Sequence, residues 1–341
     1  MTLPPPRPLL PVLARMALGL ALASVGGLLM WQGLNFRPTP GLATVTTPAE
    51  VPLDGPLPLD YADTATVSLA GDRSDLNVFP LPAGSPDLLR GDARHRRRNL
   101  LEVSVGREGR AVQAELALYV QDLQRGGVVA PEPVQHRLSV GLTRAVPLTL
   151  STLTSGGDQR LDLRSLRLRA LTVRSDSGDL DLTLPAQPGG PLALITRRGA
   201  VQVTAPAGAS PEALRVNGQS GDLTLALGGA RLDALSAGTL GGDVTLTLPT
   251  RVNRGSVTTQ SGDVEVTARS GTSGNLDIRT QSGGVTLHVP ATLRVRVRFT
   301  GRDALLLPPG TPPATAPDLD VFVDAPPGSF TLRVPSQENE P

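Results

Sequence analysis

Apolar and polar residues alternate along most of this chain, in short runs that return at a nearly constant interval. In the second half of the chain, each run follows a glycine, and successive glycines are 21, 22, 21, 20 and 21 residues apart. These glycines are Gly178, Gly199, Gly221, Gly242, Gly262 and Gly283. A period of two places alternate side chains on one face of a strand. A turn-plus-strand repeat of this length is typical of solenoids built from stacked rungs.

Each repeat reads as one strand, a glycine turn and a second strand. In four of the turns the glycine is followed by an aspartate: Asp179, Asp222, Asp243 and Asp263. Stacking the repeats brings the apolar positions into aliphatic columns with rungs roughly 4.8 Å apart. The pattern therefore predicts an all-β fold, a single-stack β-solenoid with rungs of about 21 residues.

The segments around the repeats predict the rest of the organisation. A strand pair at Leu101–Val105 and Ala111–Val120, turning at Arg107-Glu108-Gly109, indicates a hairpin before the repeats. The expected boundaries are a cytoplasmic N-terminus at 1–15, a transmembrane helix at 16–36, a Pro/Thr-rich linker at 37–64, an N-terminal β capping region at 65–150, the solenoid at 151–300, and a loop, closing hairpin and tail at 301–341.

The segment 16–36 contains an apolar run, MALGLALASVGGLLMWQGL, close to the roughly 20 residues that a bilayer-spanning helix needs. Arg7 and Arg15 precede it without any acidic residue, so the positive-inside rule predicts a cytoplasmic N-terminus and an extracytoplasmic body. The alternative is a signal peptide cleaved near Ala21-Leu22-Ala23. The anchor is favoured because the apolar run continues past that site, and either interpretation exports the body of the protein.

Composition narrows the possible chemistry. The chain has no cysteine, which excludes disulfides and thiolate sites, and its net charge of +1 predicts no nucleic-acid partner. No Phe, Tyr or Trp occurs between Tyr119 and Phe299, so the repeats lack the aromatic platforms on which sugars and single strands stack. No cofactor is expected.

The turn aspartates allow two interpretations. One is a row of carboxylates that bind Ca²⁺ or act as an acid–base pair on a polysaccharide. The other is structural, with each Asp accepting a backbone N–H of its own turn and each glycine supplying a positive φ. Ala200 and Gly284 interrupt the row, which favours the structural role. The predicted structural turn residues are Gly178, Asp179, Gly221, Asp222, Gly242, Asp243, Gly262, Asp263 and Gly283.

The run Arg94-His95-Arg96-Arg97-Arg98 is the densest group of basic residues. It is either a solvated loop or a site for anions such as wall polymers, lipid head groups or phosphates, with Arg94, Arg96, Arg97 and Arg98 as the binding residues. The three histidines, His95, His136 and His288, are far apart and lack ligand spacing. No metal site and no catalytic residue is therefore predicted.

Residues 141–185 resemble the toast-rack segment of bacterial envelope proteins, and the later repeats up to Val289 resemble the putative-adhesin β-strand-repeat family. The resemblance spans roughly residues 65–334 and rests on Val146-Pro147-Leu148, Asp162-Leu163-Arg164-Ser165-Leu166, Gly178-Asp179 and Leu182-Thr183-Leu184-Pro185. It implies a β-repeat architecture at the cell envelope, with relatives among cell-wall stress regulators, and it implies no catalytic residues.

The sequence therefore favours a non-enzymatic, membrane-anchored extracytoplasmic module with a structural or interaction role. An envelope protein or a second copy is the expected partner, and a wall polymer is a further possibility. Two alternatives stay open. One is a polysaccharide-active β-helix enzyme that uses Asp222, Asp243 and Asp263, and the other is an accessory sensor of an envelope-stress kinase.

Overall fold

The computed structural model describes residues 43–52, 62–120, 136–187, 189–299, 302–308, 312 and 316–334. The chain divides into two units, Met1–Ala43 and Thr44–Pro341, and the strands all belong to the second. None of the described residues forms a helix with the length and apolar character needed to cross a membrane. The predicted cytoplasmic segment 1–15, the predicted anchor 16–36 and the tail after residue 334 lie outside the described residues.

The described part of the chain is all-β, as predicted. Its strands are β1 Thr44–Pro52, β2 Thr64–Gly71, β3 Ser74–Pro80, β4 Asp87–Arg96, β5 Leu100–Glu108, β6 Ala111–Tyr119, β7 His136–Leu142, β8 Leu148–Thr154, β9 Gln159–Asp162, β10 Leu168–Ser175, β11 Leu180–Thr183, β12 Leu192–Arg198, β13 Val201–Thr204, β14 Ala213–Ser220, β15 Leu223–Ala226, β16 Arg231–Gly241, β17 Val244–Thr247, β18 Arg251–Ser261, β19 Val264–Thr267, β20 Ser273–Ser282, β21 Val285–His288, β22 Val295–Phe299, β23 Arg302–Leu306, β24 Leu319–Asp324 and β25 Phe330–Arg333.

These strands form two long sheets that face each other. Sheet A has 12 strands in the order β1-β4-β7-β3-β9-β11-β13-β15-β17-β19-β21-β25, and sheet B has 13 in the order β23-β22-β24-β20-β18-β16-β14-β12-β10-β8-β2-β6-β5. From β8 to β21 the chain alternates between the sheets, and each strand from β8 to β19 pairs in parallel with the strand two places later. The predicted stack of parallel rungs is therefore confirmed in this region.

Aliphatic columns fill the space between the sheets because of the period-two alternation. One column in sheet A is fully in register and buried throughout: Leu161, Leu182, Val203, Leu225, Leu246, Val266 and Leu287. Burial of each such side chain contributes roughly 1.5–3 kcal/mol. Since every rung covers the inner face of its neighbours, the core is one continuous cluster along the stack.

The glycine turns obey a stricter requirement than a positive φ alone. Gly242 has φ +140°, and a Cβ built on it would lie 2.3 Å from the carbonyl oxygen of Gly221 in the preceding rung. The same approach repeats at Gly262, where the distance to the carbonyl oxygen of Gly242 would be 2.1 Å. Each turn thus lies directly against the backbone of the turn before it, and only glycine fits.

The N-terminal boundaries differ from those predicted. The linker prediction is wrong for residues 44–52, which form β1 and pair antiparallel with β4, with Ala49 and Val51 buried. The prolines Pro48 and Pro52 are tolerated there because β1 is an edge strand. Parallel stacking also begins before residue 151, because β2 already pairs with β8 and β3 with β9. The predicted hairpin is present as β5 and β6, with β5 extended to Glu108 and Gly109 in the turn at φ +56°.

The closing hairpin predicted within residues 301–341 is wrong for the strands of residues 318–334. Its two strands, β24 and β25, lie in opposite sheets and pair in parallel with β20 and β21, so they form one more rung. The antiparallel pair at this end is instead β22 with β23. A hairpin and an additional rung show the same alternation of apolar residues in the sequence. They differ in the loop before β25, which crosses to the other sheet in the rung.

The adjacent residues Gly242 and Gly241 provide a matched test of the turn packing. We expect Gly242→Ala to lower the free energy of unfolding by about 3 kcal/mol or more, because it adds both backbone strain and a clash with a carbonyl. Gly241→Ala meets only the Ser261 hydroxyl oxygen at 3.6 Å and should change stability by less than about 1 kcal/mol. Urea unfolding of both variants measures the difference. Equal destabilisation by the two would contradict the proposed role of the turn.

Candidate functional site

The turn aspartates form hydrogen-bonded ladders along one edge of the stack. Asp222 Oδ1 accepts the backbone N–H of Asp243 at 2.9 Å, Asp243 Oδ1 accepts that of Asp263 at 2.8 Å, and Asp263 Oδ1 accepts that of Gly284 at 2.7 Å. The predicted structural role of these carboxylates is supported by these bonds, but the predicted donor is wrong. Each donor belongs to the equivalent residue of the next rung, because parallel stacking places that N–H directly beside the carboxylate.

A second ladder precedes the first. Asp75 Oδ1 accepts the N–H of Asp158 at 3.2 Å, Asp158 Oδ1 accepts that of Asp179 at 2.9 Å, and Asp179 Oδ1 accepts that of Ala200 at 2.8 Å. Ala200 and Gly284 each receive such a bond but have no carboxylate to continue the series. Sequence reasoning missed Asp75 and Asp158, although Gly157-Asp158 precedes Gly178-Asp179 by one period of 21 residues and was a usable signal.

A groove of about 630 Å³ lies beside the second ladder on the outer face of sheet A. It is lined by Asp75, Leu76, Asn77, Arg137, Ser139, Asp158, Gln159, Arg160, Asp179, Asp181 and Gln202. Two exposed ion pairs cross it, Arg137–Asp75 at 3.8 Å and Arg160–Asp181 at 3.6 Å. The described residues contain no group of three or more His or acidic side chains arranged to hold a metal ion. The aspartates of the groove thus have backbone or arginine partners.

The structure places the basic run where the chain crosses between the sheets. Arg94 and Arg96 lie on β4, and Arg97 and Arg98 lie in the turn that leads to β5, closed by a bond from the N–H of Asn99 to the carbonyl of Arg96 at 2.9 Å. Arg94 and Arg97 are exposed. Arg98 differs, because its Nε and Nη1 atoms are buried and have no hydrogen-bond partner.

The same end of the stack brings together two histidines that are far apart in sequence. Arg94 of β4 pairs with Arg137 of β7, which sets His95 beside His136, and both histidine side chains are buried. His95 Nδ1 donates to the carbonyl of Arg96 at 2.9 Å, and its Nε2 lies 2.9 Å from the hydroxyl of Thr47. No sequence spacing predicts this pair, because the antiparallel register of β4 and β7 creates it.

His136 is held as a neutral ring. Its Nδ1 donates to the carbonyl oxygen of Asp72 at 2.9 Å, and its Nε2 accepts from the side-chain amide of Asn99. Burial lowers the pKa of His136 below its ordinary value, and the nearby His95 and Arg96 lower it further, against the raising effect of Asp72. A protonated ring would turn an Nε2–H toward the amide donor, so the neutral form fits this site.

Ser74, His136 and Asn99 have the residue types of a nucleophile, a base and an orienting amide, but their geometry does not provide that chemistry. The Ser74 hydroxyl lies 3.3 Å from His136 Nδ1, which already carries the proton donated to Asp72. Ser74 itself donates to the Asp72 carbonyl at 3.0 Å and is fully buried. This cluster therefore joins β3, β7 and the turn between β4 and β5 as a structural element.

Together the fold and these side chains define a class: an all-β repeat protein whose turn aspartates form hydrogen bonds between neighbouring rungs. The family model for the N-terminal domain of toast_rack, DUF2154, matches residues 46–204, and the model Toastrack DUF4097 matches residues 189–298. The chain belongs to the toast-rack family, as its sequence resemblance implied. No curated protein matches it.

Three solved structures illustrate the general similarity. A putative cell adhesion protein from Clostridium sporogenes is 11% identical, with 86% of this chain and 99% of that chain covered and a TM-score of 0.33. A putative adhesin from Bacteroides fragilis is 11% identical, covering 73% and 99%, with a TM-score of 0.39. A putative lipid binding protein from Parabacteroides distasonis is 10% identical, covering 86% and 97%, with a TM-score of 0.39. At such identities and scores, these similarities indicate nothing about what this protein binds.

The gap between the two ladders gives a stability prediction. We expect Ala200→Asp to supply the missing acceptor for the N–H of Asp222 and to raise the free energy of unfolding by about 0.5–1 kcal/mol. The gain should grow with salt, since added ions screen the new carboxylate from Asp179 and Asp222. Ala200→Asn offers the same acceptor without charge and serves as the control. If urea unfolding shows neither variant more stable than the parent, the ladder contributes no measurable stability.

His136 gives a prediction on acid stability. Its folded-state pKa lies below the value of about 6.5 expected in the unfolded chain. The stabilisation from the neutral ring is therefore fully present above about pH 6.5 and is lost as the pH falls through the folded-state pKa. We expect the free energy of unfolding to fall between pH 7 and pH 5 more steeply in the parent than in His136→Gln.

Urea unfolding at each pH measures the slope in the parent and in His136→Gln. An unchanged slope in His136→Gln would show that other groups cause the acid sensitivity.

Proposed function

We propose that this protein is a non-enzymatic interaction module of the bacterial cell envelope. Residues 16–36 hold it in the membrane as a single-pass helix, with the N-terminus cytoplasmic and the toast-rack unit on the extracytoplasmic side. The apolar run, its preceding arginines and the family support this proposal. One observation on the unit itself carries the interaction role, namely the exposure of the edge strand β5.

Strand β5 continues the apolar inner face of sheet B beyond the part that the core covers. It pairs antiparallel with β6, placing Val103 opposite the buried Leu116 and Val105 opposite the buried Ala114. Nevertheless Val103 is 43% exposed and Val105 is 55% exposed. The inner face of sheet B is therefore partly uncovered at Val103 and Val105, whereas Leu101 near the start of β5 packs against the core.

The backbone of β5 is also available for pairing. Among the strands that the structure describes, this nine-residue strand is the last in sheet B and pairs with β6 alone. An exposed edge with apolar side chains favours the addition of another strand, and proteins normally blunt such edges when no partner binds them. Strand addition is therefore the interaction that this unit is best suited to make.

The proposed partner is a second copy of the chain. Antiparallel pairing of two β5 strands about Ser104 sets Val103 of one copy opposite Val105 of the other, twice. It also sets Glu102 opposite Gly106 and Arg107 opposite Leu101, so no like charges face each other directly. Such a twofold interface continues sheet B from one copy into the next.

The polysaccharide-enzyme alternative loses support from the ladders. Asp222, Asp243 and Asp263 each use one carboxylate oxygen to accept a backbone N–H from the next rung. The three carboxylates therefore have the same hydrogen-bonding environment, and nothing in it makes one of them a general acid and another a general base. The sensor alternative and the binding of a wall polymer stay predictions.

Cysteine crosslinking tests the proposed pairing, because the chain has no native cysteine. In Ser104→Cys, residue 104 of each copy lies opposite itself at a Cα separation of about 4.5–5.5 Å, within disulfide range. We expect mild oxidation of native membranes that contain the full-length variant to give a disulfide-linked dimer. The control variant is Thr331→Cys, at an exposed position on β25, which lies at the other end of the stack from β5. This variant should stay monomeric.

A second substitution separates specific pairing from random collision. Adding Val103→Lys to Ser104→Cys should remove most of the crosslink, since a charge then replaces the apolar contact. A photo-reactive residue at position 105 that captures a different envelope protein would retain the interaction module and reject self-association. Absence of both products would contradict the proposed role of β5.

A further inference from the structure

We propose that the stack binds one ordered water molecule beside Gly218, where the water bridges the hydroxyl groups of Thr196 and Thr239. The site lies on the inner face of sheet B, close to the glycine turns. It does not depend on the function proposed above.

A column of buried hydroxyl groups runs along the inner face of sheet B. Its members lie three residues before a turn glycine and pair in register from one rung to the next. This hydroxyl column consists of Thr154, Ser175, Thr196, Thr239, Thr259 and Thr280, each at most 7% exposed. Gly218 takes the position between Thr196 and Thr239, so the column is interrupted there by a residue without a side chain.

Gly218 leaves space for a small group in this column. A Cβ built on it would lie 3.6 Å from Thr196 Oγ1 and 3.5 Å from Thr239 Oγ1. On a third side it would lie 3.5 Å from Leu223 Cδ2, and all three are ordinary van der Waals distances. Gly218 lies in β14 and does not have a positive φ, so its backbone does not require glycine. The space is therefore large enough for one methyl-sized group and is bounded by two hydroxyl oxygens.

Thr196 supplies the strongest indication of what fills this space. Its side chain is 1% exposed, and its hydroxyl has no hydrogen-bond partner among the residues that the structure describes. A buried hydroxyl without a partner lowers stability, and internal waters typically bond to such groups. A water beside Gly218 provides the missing partner.

Thr239 offers the second bond to the same water. Its hydroxyl is only loosely held by the protein, since the carbonyl oxygens of Gly221 and Gly241 lie 3.5 and 3.3 Å away. The donors and acceptors agree, because Thr196 can donate to the water while the water donates to Thr239 Oγ1. The distances from the Cβ position to the two hydroxyls exceed the usual O···O distance by less than about 1 Å, which small rotations of the two threonine side chains provide.

Thr196→Val tests the site by the sign of its effect on stability. Valine has nearly the same shape but cannot bond to the water. We therefore expect the unfolding equilibrium constant of the full-length chain, measured in urea, to rise about fivefold. Without the water, the same substitution would remove an unsatisfied hydroxyl and lower that constant.

Thr259→Val is the matched control. Thr259 also has a buried hydroxyl without a partner in the described ranges, but both of its neighbours in the column, Thr239 and Thr280, have side chains. The control substitution should leave the unfolding constant unchanged or lower it. An equal effect of Thr196→Val and Thr259→Val would overturn the proposal.

Gly218→Ala should reverse the effect of Thr196→Val. The added methyl group displaces the water and leaves the Thr196 hydroxyl without a partner. In this background Thr196→Val should lower the unfolding constant, whereas in Gly218→Ser, which supplies a hydroxyl in place of the water, it should again raise it. The same sign in all three backgrounds would contradict a water at this position.

Nuclear Overhauser spectroscopy of the full-length chain with labelled threonine methyl groups detects the water directly. The methyl groups of Thr196 and Thr239 should show cross-peaks to a long-lived water, and Gly218→Ala and Gly218→Ser should each weaken them. Exchange of the threonine hydroxyls with solvent contributes in all three proteins, so only the part lost on substitution reports the water. Cross-peaks of unchanged intensity would show that the proposal is wrong.

Discussion

The structure depends on the close approach of successive glycine turns. At each turn the backbone passes so near the preceding rung that a Cβ would overlap a carbonyl oxygen, as between Gly262 and Gly242. That contact keeps the rungs at the spacing of a parallel sheet on both sides of the core. It also explains the aspartate ladders, because the N–H after each glycine then points at the carboxylate of the rung before it, as in Asp263 and Asp243. Each turn connects a strand of sheet B to a strand of sheet A, so a larger residue at one turn would disturb the strand pairing in both sheets.

A repeated stack confines its distinctive chemistry to its ends. Interior rungs differ little, since each must cover its neighbours and accept the same hydrogen bonds. The N-terminal end departs from the repeat, with the antiparallel strands β1, β4 and β5, the buried His95 and His136, and the unpaired donors of Arg98. The C-terminal end departs less, and there Asp320 pairs with two arginines of β22, Arg296 and Arg298. A search for function in such a protein therefore starts at its ends.

The sequence predicts the interior rungs well and the ends poorly, for a physical reason. Inside the stack, local alternation and the glycine period determine both the strand and its partner, since the partner is always one period away. At the ends the partner is not periodic. Nothing in the local pattern shows that β25 crosses to sheet A, that the proline-containing 44–52 segment pairs with β4, or that His95 meets His136. Gly157-Asp158 is different, because its spacing of one period from Gly178-Asp179 made it predictable.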